Sequence, residues 1–247
     1  MVAMRRVLFI FLLLGSMDAG AQGTGGDDPV AVQILDHMST VIGQLNSCGY
    51  TLEVSRDVDD PSLGLVKHFG VNKVFMMGPD KMLVDVRGDK GHRGYWYDGK
   101  NVTYYSYDEN NYATVQAPGT TLETIDTMHR DYDIDFPASD FFYPKFTDDL
   151  IDNSDRIVFL GNTSVEGKEC FHIFVMGKGM NIQLWIADDA LNLPVKLSIA
   201  YTDQRYAPQY EATFSDWQIN PELPAAIFDF VPPRSAVPIK LVSKTGK

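Results

Sequence analysis

The side chains able to do chemistry are few and scattered. His37, His68, His92, His129 and His172 show no paired spacing for a metal site, and the chain contains neither His-Glu-x-x-His nor Cys-x-x-Cys. Each histidine therefore reads as a structural or surface residue. Asp57, Asp59 and Asp60 form a short acidic run that lacks the glycine and the terminal glutamate of a calcium loop, so it reads as a solvated loop. There is no Gly-x-Ser-x-Gly elbow, phosphate loop or dinucleotide fingerprint. No catalytic residue, metal ligand or cofactor is assigned on these grounds, and the chain is not read as an enzyme. Cys48 and Cys170 are too few for a disulfide framework or a four-thiolate zinc site. Two readings stay open for them: one bridge, or two buried free thiols.

Charge narrows the partners. With 33 acidic against 21 basic residues, a net charge of −12, the chain lacks the clustered Lys and Arg that hold a phosphate backbone. Nucleic acid and anionic lipid surfaces are poor partners. The N-terminus carries Arg5 and Arg6, an apolar run from Val7 to Leu14, and then Ala19-Gly20-Ala21. That is the order of a secretory signal peptide, expected to be cut after Ala21. The run is well short of the roughly 20 residues that span a bilayer, so no transmembrane anchor is expected in the mature chain. The expected location is periplasmic or secreted. The triplets Asn101-Val102-Thr103 and Asn162-Thr163-Ser164 are glycosylation sequons that matter only in a eukaryotic secretory pathway.

The elements that must position any site follow from periodicity. Residues 22–28 read as a flexible leader ending in Asp28, an acidic cap before Pro29. Ile34, Leu35, Met38, Val41, Ile42 and Leu45 then form one helical stripe. From Tyr50 the period becomes two, and strands are expected at 50–55, 65–69, 71–77, 82–87, 94–97, 102–107 and 112–116. Asp98-Gly99 is the clearest hairpin turn among them. A helical insertion interrupts the series: Thr120 and Glu123 form a capping box ahead of Leu122, Ile125, Met128 and Tyr132, and a third short helix is expected at 146–151. Strands resume at 156–160, 169–176, 182–187, 195–201 and 210–219, and an edge segment carries Phe228 and Phe230. The expectation is one α+β domain over 29–240 with a polar tail at 241–247. It is built on a single large curled antiparallel sheet of about 11 strands, with the N-terminal helix and the central insertion over its open side.

Aromatic residues crowd adjoining strands at Tyr95, Trp96, Tyr97, Tyr104, Tyr105, Tyr107 and Tyr112, and again at Phe141, Phe142 and Tyr143 in the insertion. Core packing and cross-strand pairing account for such a pattern. An apolar ligand cavity between sheet and helices accounts for it as well. The cavity candidates are Ile34, Met38 and Ile42 on the first helix, Trp96, Tyr105 and Trp185 on strands, and Phe141 and Phe142 in the insertion, with segment 120–151 as a lid.

The segments Tyr95-Trp96-Tyr97-Asp98-Gly99-Lys100, Gln183-Leu184-Trp185-Ile186, Leu193-Pro194-Val195-Lys196-Leu197, Pro208-Gln209-Tyr210, Phe214-Ser215-Asp216-Trp217 and Phe228-Asp229-Phe230-Val231-Pro232-Pro233 resemble the predicted periplasmic family called domain of unknown function twenty ninety-two. The family in turn is similar to the LolA/LolB-like lipoprotein-carrier superfamily. The resemblance implies a half-open, incomplete β-barrel plugged by helices, with an acyl-holding cavity; no ligand contact of the carriers is carried over residue by residue. The leading functional expectation is a soluble periplasmic protein that binds a lipid, acyl chain or other hydrophobic small molecule, in the manner of a carrier. The alternatives are a module that binds or senses another envelope protein, and a hydrolase without a recognisable motif.

Overall fold

The stripe on the first segment is helical, and the period-two segments are strands. The computed structural model describes residues 26–244; the expected signal peptide, its cleavage site and residues 22–25 lie outside the described residues. The elements run α1 (Pro29–Gly43), β1 (Ser47–Asp60), β2 (Gly64–Met77), β3 (Lys81–Gly88), β4 (Gly91–Tyr97), β5 (Asn101–Ser106), β6 (Asn111–Gln116), α2 (Thr121–Tyr132), α3 (Phe146–Asn153), β7 (Ser154–Val165), β8 (Lys168–Gly177), β9 (Met180–Ala187), β10 (Pro194–Ala200), β11 (Gln209–Ile219) and β12 (Val237–Pro238). The fold class is α+β with an unclosed, predominantly antiparallel sheet; the two-residue β12 runs parallel to its neighbour β6.

Two compact units emerge. Among the described residues, one comprises those up to Gly43 together with Asp140–Tyr210, the other Gln44–Ser139 together with those from Glu211 onward. The first holds α1, α3 and the strand order β10-β9-β8-β7. In it, Asp28 accepts a hydrogen bond from the Val30 N–H at 2.9 Å and Pro29 opens the helix, as an N-cap and first helical position should. Ala31, Ile34, Leu35, Met38 and Ile42 are buried, with α1 packed against α3 and β7. The second unit holds α2 and the order β12-β6-β5-β4-β3-β2-β1-β11. The expected lid, 120–151, is thus divided: α2 and the residues up to Ser139 belong to the second unit, and Phe141, Phe142 and α3 to the first.

Two expectations change in the structure, and the choice left open for the cysteines falls on free thiols. The segments 65–69 and 71–77 are one strand, β2, running straight through Gly70, where Arg87 and Gly88 of β3 approach the backbone closely. The acidic run is not a solvated loop; it is the far end of β1, in register with β2 down to the pair Asp60 and Gly64. Asp57 faces Lys67 in that register and pairs with it at 2.8 Å, while the Asp60 carboxylate accepts from Ser62 N–H, Ser62 Oγ and Leu63 N–H to close the hairpin. Cys48 lies in β1, beyond the helix, and both cysteines are buried free thiols, so the bridge is not formed. Burial pushes the Cys48 thiol up to about 12, against a smaller opposing hydrogen bond from the Met76 backbone, which keeps it protonated and unreactive.

The turn at Asp98-Gly99 carries a prediction. Gly99 sits at φ 90°, and the Asp98 carboxylate accepts the N–H groups of Lys100 at 2.8 Å and Asn101 at 2.7 Å. Burial opposes ionisation of Asp98, yet these hydrogen bonds and nearby Lys81 hold it below the ordinary value of 3.8. A depressed carboxylate stabilises the folded state fully above its unfolded pKa, and that contribution is lost as pH falls through the folded one. Asp98→Ala should therefore melt lower than the parent at neutral pH, with the gap closing on acidification below the ordinary aspartate range. A gap that stays constant with pH would contradict this account.

Candidate functional site

Register assigns the strand side chains of the second unit to two sheet faces. Along one face the partners run Leu52, Asn72 and Val86, then Tyr50, Val74, Val84 and Tyr95, then Cys48, Met76, Met82 and Tyr97. On the other face Gly49, Phe75, Leu83, Trp96, Thr103 and Thr114 form one row, and Lys73, Asp85, Gly94, Tyr105 and Tyr112 the next. Side chains alternate across a strand, so Trp96 points away from its neighbours Tyr95 and Tyr97.

The first face is covered by α2 and the segment that follows it. Thr120 caps α2 as expected: its hydroxyl oxygen accepts the Glu123 N–H at 3.3 Å and its hydroxyl donates to the Glu123 carboxylate at 2.8 Å. Met128 and Ile125 on the inner side of α2 are buried. The helix ends at Asp133, which adopts the left-handed conformation at φ 64°, and the chain then turns back under its own helix. His129 and Asp135 join the two limbs at 2.5 Å, and Phe136 meets Tyr95 edge-on with ring centroids 5.4 Å apart. Burial holds the Tyr95 phenol above its ordinary range, against a smaller effect of Arg93, so it stays neutral there.

Between these layers lies a cavity of about 20 Å³, lined by Tyr50, Asn72, Val74, Met76, Met82 and Val84 of the sheet and by Ile125, Phe136, Pro137 and Ser139 of the cover. That volume holds about one water molecule. Its lining is mostly apolar and includes no carboxylate, lysine, arginine or histidine. Two features make its walls adaptable. Met76 and Met82 face each other across β2 and β3, and methionine repacks readily. Ala138, between the lining residues Pro137 and Ser139, is held at φ 63°, a left-handed conformation that costs an alanine about 1 kcal/mol. A second, open groove of about 520 Å³ lies beside Asn46, Ser47, Met77 and Pro221 through Pro224, where a ligand would stay largely in water.

The candidates read from the sequence are not gathered into this cavity. Trp96 and Tyr105 are on the opposite face, where Phe230 of the C-terminal segment packs on both, with centroids 4.9 and 5.4 Å away. Ile34, Met38 and Ile42 form the buried face of α1 in the first unit. Phe141, in the same unit, is buried with its ring 4.9 Å from that of Phe146, and Phe142 is half-buried. Trp185 stacks on His172 at 4.6 Å and packs beside Cys170, Ala187 and Val195. Conversely, sequence reasoning passed over Asn72, although a signal was there: an amide in phase with the inward residues Val74 and Met76 of an apolar strand. Among the described residues no group of three or more His, Cys, Asp or Glu is placed to hold a metal ion. No helix among them is long and apolar enough to cross a membrane.

Comparison with known proteins places this architecture. An uncharacterized conserved protein from Thermus thermophilus superposes with a TM-score of 0.50 at 12% identity, over 85% of this chain and 99% of that one. At that identity the likeness is one of fold. The lipoprotein LppX of Mycobacterium tuberculosis gives 0.46 at 14% identity, over 81% of this chain and 100% of its own. A LolA superfamily protein from Nitrosomonas europaea gives 0.33 at 10% identity, over 81% and 97%. No curated protein sequence matches the chain significantly. The family model of predicted periplasmic proteins DUF2092 matches residues 31–242, nearly the whole described chain, and the chain belongs to that family.

Proposed function

We propose that this periplasmic-family protein binds an apolar or amphipathic molecule, such as a lipid acyl chain, in the space between β1–β3 and the cover made by α2 and residues 133–139. The observation that carries the reading is the cavity itself, an apolar, uncharged space closed by a short two-limbed cover with methionines in its floor. Each methylene removed from water there would contribute about 0.8 kcal/mol to binding. At about 20 Å³ the space admits no acyl chain as it stands, so uptake requires the cover to lift and the methionines to repack. The fold likeness to the Thermus thermophilus protein supports the architecture and leaves the ligand to this local argument.

The test is purification of the protein from periplasm, solvent extraction and mass spectrometry of what it releases, with uptake of a fluorescent acyl probe by the stripped protein. Extractable lipid or saturable probe uptake is expected, and Val84→Phe, which fills the floor, should reduce uptake at least tenfold. A protein that purifies empty and takes up no probe overturns the reading.

A further inference from the structure

We infer that the deep wall of this site selects ligands carrying an uncharged hydrogen-bonding group, an ester or amide carbonyl or a hydroxyl, through Asn72 and Ser139. This rests on the ligand reading above and says which molecules within that class fit.

Asn72 is 3% exposed and lines the cavity from the middle of β2, between Leu52 of β1 and Val86 of β3. Its carboxamide has no hydrogen-bond partner among the described residues. Neither has the hydroxyl of Ser139, which is 5% exposed and lines the cavity from the cover, although its N–H donates to Phe136 C=O at 3.3 Å. Buried polar side chains are almost always satisfied, because leaving one without a partner forfeits its hydration for nothing. A leucine, with the same branching and a larger apolar end, would seal this floor without an unpaired polar group. The pair presents donors and acceptors from opposite walls to whatever enters, enough for one carbonyl or hydroxyl oxygen.

Charge decides which group that is. Arg93, which follows Val86 in the row of Asn72 on the same sheet face, stands outside the lining and donates to the Lys90 C=O, and Lys73 lies on the other face opposite Thr51 and Asp85. With no cation in the lining, an ionised carboxylate or phosphate would lose its water and gain no counter-charge, whereas a neutral oxygen gains hydrogen bonds that replace its hydration.

Competition against a fluorescent acyl probe tests the inference, using a fatty acid and its monoacylglycerol ester of the same chain length at pH 8. The ester should compete at least tenfold better in the parent protein, and the acid should recover as the pH is lowered into the range where its carboxyl is protonated. Asn72→Leu should bring the two within about twofold, with the probe's own affinity measured for each variant and a melting temperature no lower than the parent's showing that the fold is kept. Ser139→Ala should reduce the preference by a smaller factor. Equal competition in the parent, or a preference unchanged in Asn72→Leu, overturns the inference and leaves the ligand reading standing; the second result would mean that the carboxamide serves an internal water. Failure of the parent to take up any probe overturns both.

Discussion

Met38→Asp should remove most of the stability of the unit that contains α1. Met38 is 0% exposed at the centre of the buried stripe, flanked by Leu35 one turn before and Ile42 one turn after. A carboxylate placed there has no cation among the buried residues of that helix face. It must either lose its hydration or force the helix off, a cost of about 4 kcal/mol or more. Domains of ordinary stability have about 5–15 kcal/mol to lose. Gln33→Asp, on the exposed side of the same helix, is the control and should shift stability by no more than about 0.5 kcal/mol. Chemical denaturation of both variants checks the pair. Comparable small losses in both would mean that the Met38 side is open to solvent or to a ligand.

Phe228→Ala should cost about 3–5 kcal/mol, the usual penalty for deleting a buried aromatic ring. Phe228 is 0% exposed and closes the short 3-10 turn Ala225–Phe228, which packs on β3. Two residues on, Phe230 lies over Trp96, Tyr105 and Tyr112. Phe228 is the anchor that brings this aromatic cover down onto the sheet. Without it the segment should loosen, exposing the Trp96 face and the backbone of 225–238 to protease. The expected readings are a melting temperature lower by on the order of 10 °C and faster limited proteolysis in that segment. Phe230→Ala, at a half-exposed ring, should cost less. Unchanged melting and cleavage in Phe228→Ala would remove the anchor role and leave Phe230 as the main contact.

Local chemistry determined the elements. The Asp28-Pro29 start, the apolar stripe of α1, the Thr120–Glu123 cap and the Asp98-Gly99 turn each depend on residues within a turn or two of one another, and each is found where the sequence places it. The antiparallel α+β class follows from the same short connections. The acidic run and the Gly70 break show the limit of that locality. Asp57, Asp59 and Asp60 look like loop residues until the partner strand supplies Lys67 and the hairpin geometry, and Gly70 looks like a break until β3 is seen to approach it.

The site depended on the tertiary structure because it depends on which face each side chain joins and on what covers that face. Tyr95 and Trp96 are adjacent aromatics of similar local character, yet register sends Tyr95 under Phe136 and Trp96 under Phe230, two covers supplied by segments far apart in sequence. Phe141 and Phe142 follow closely on Ser139, yet the division into compact units falls between Ser139 and Asp140. Asn72 stands out in the sequence only as an amide in an apolar strand; its meaning comes from the closed space it lines and from the lack of a partner there among the described residues. Periodicity says that a residue is inward or outward. Only the packing of the second layer says whether inward means core, cavity or the underside of a covering strand.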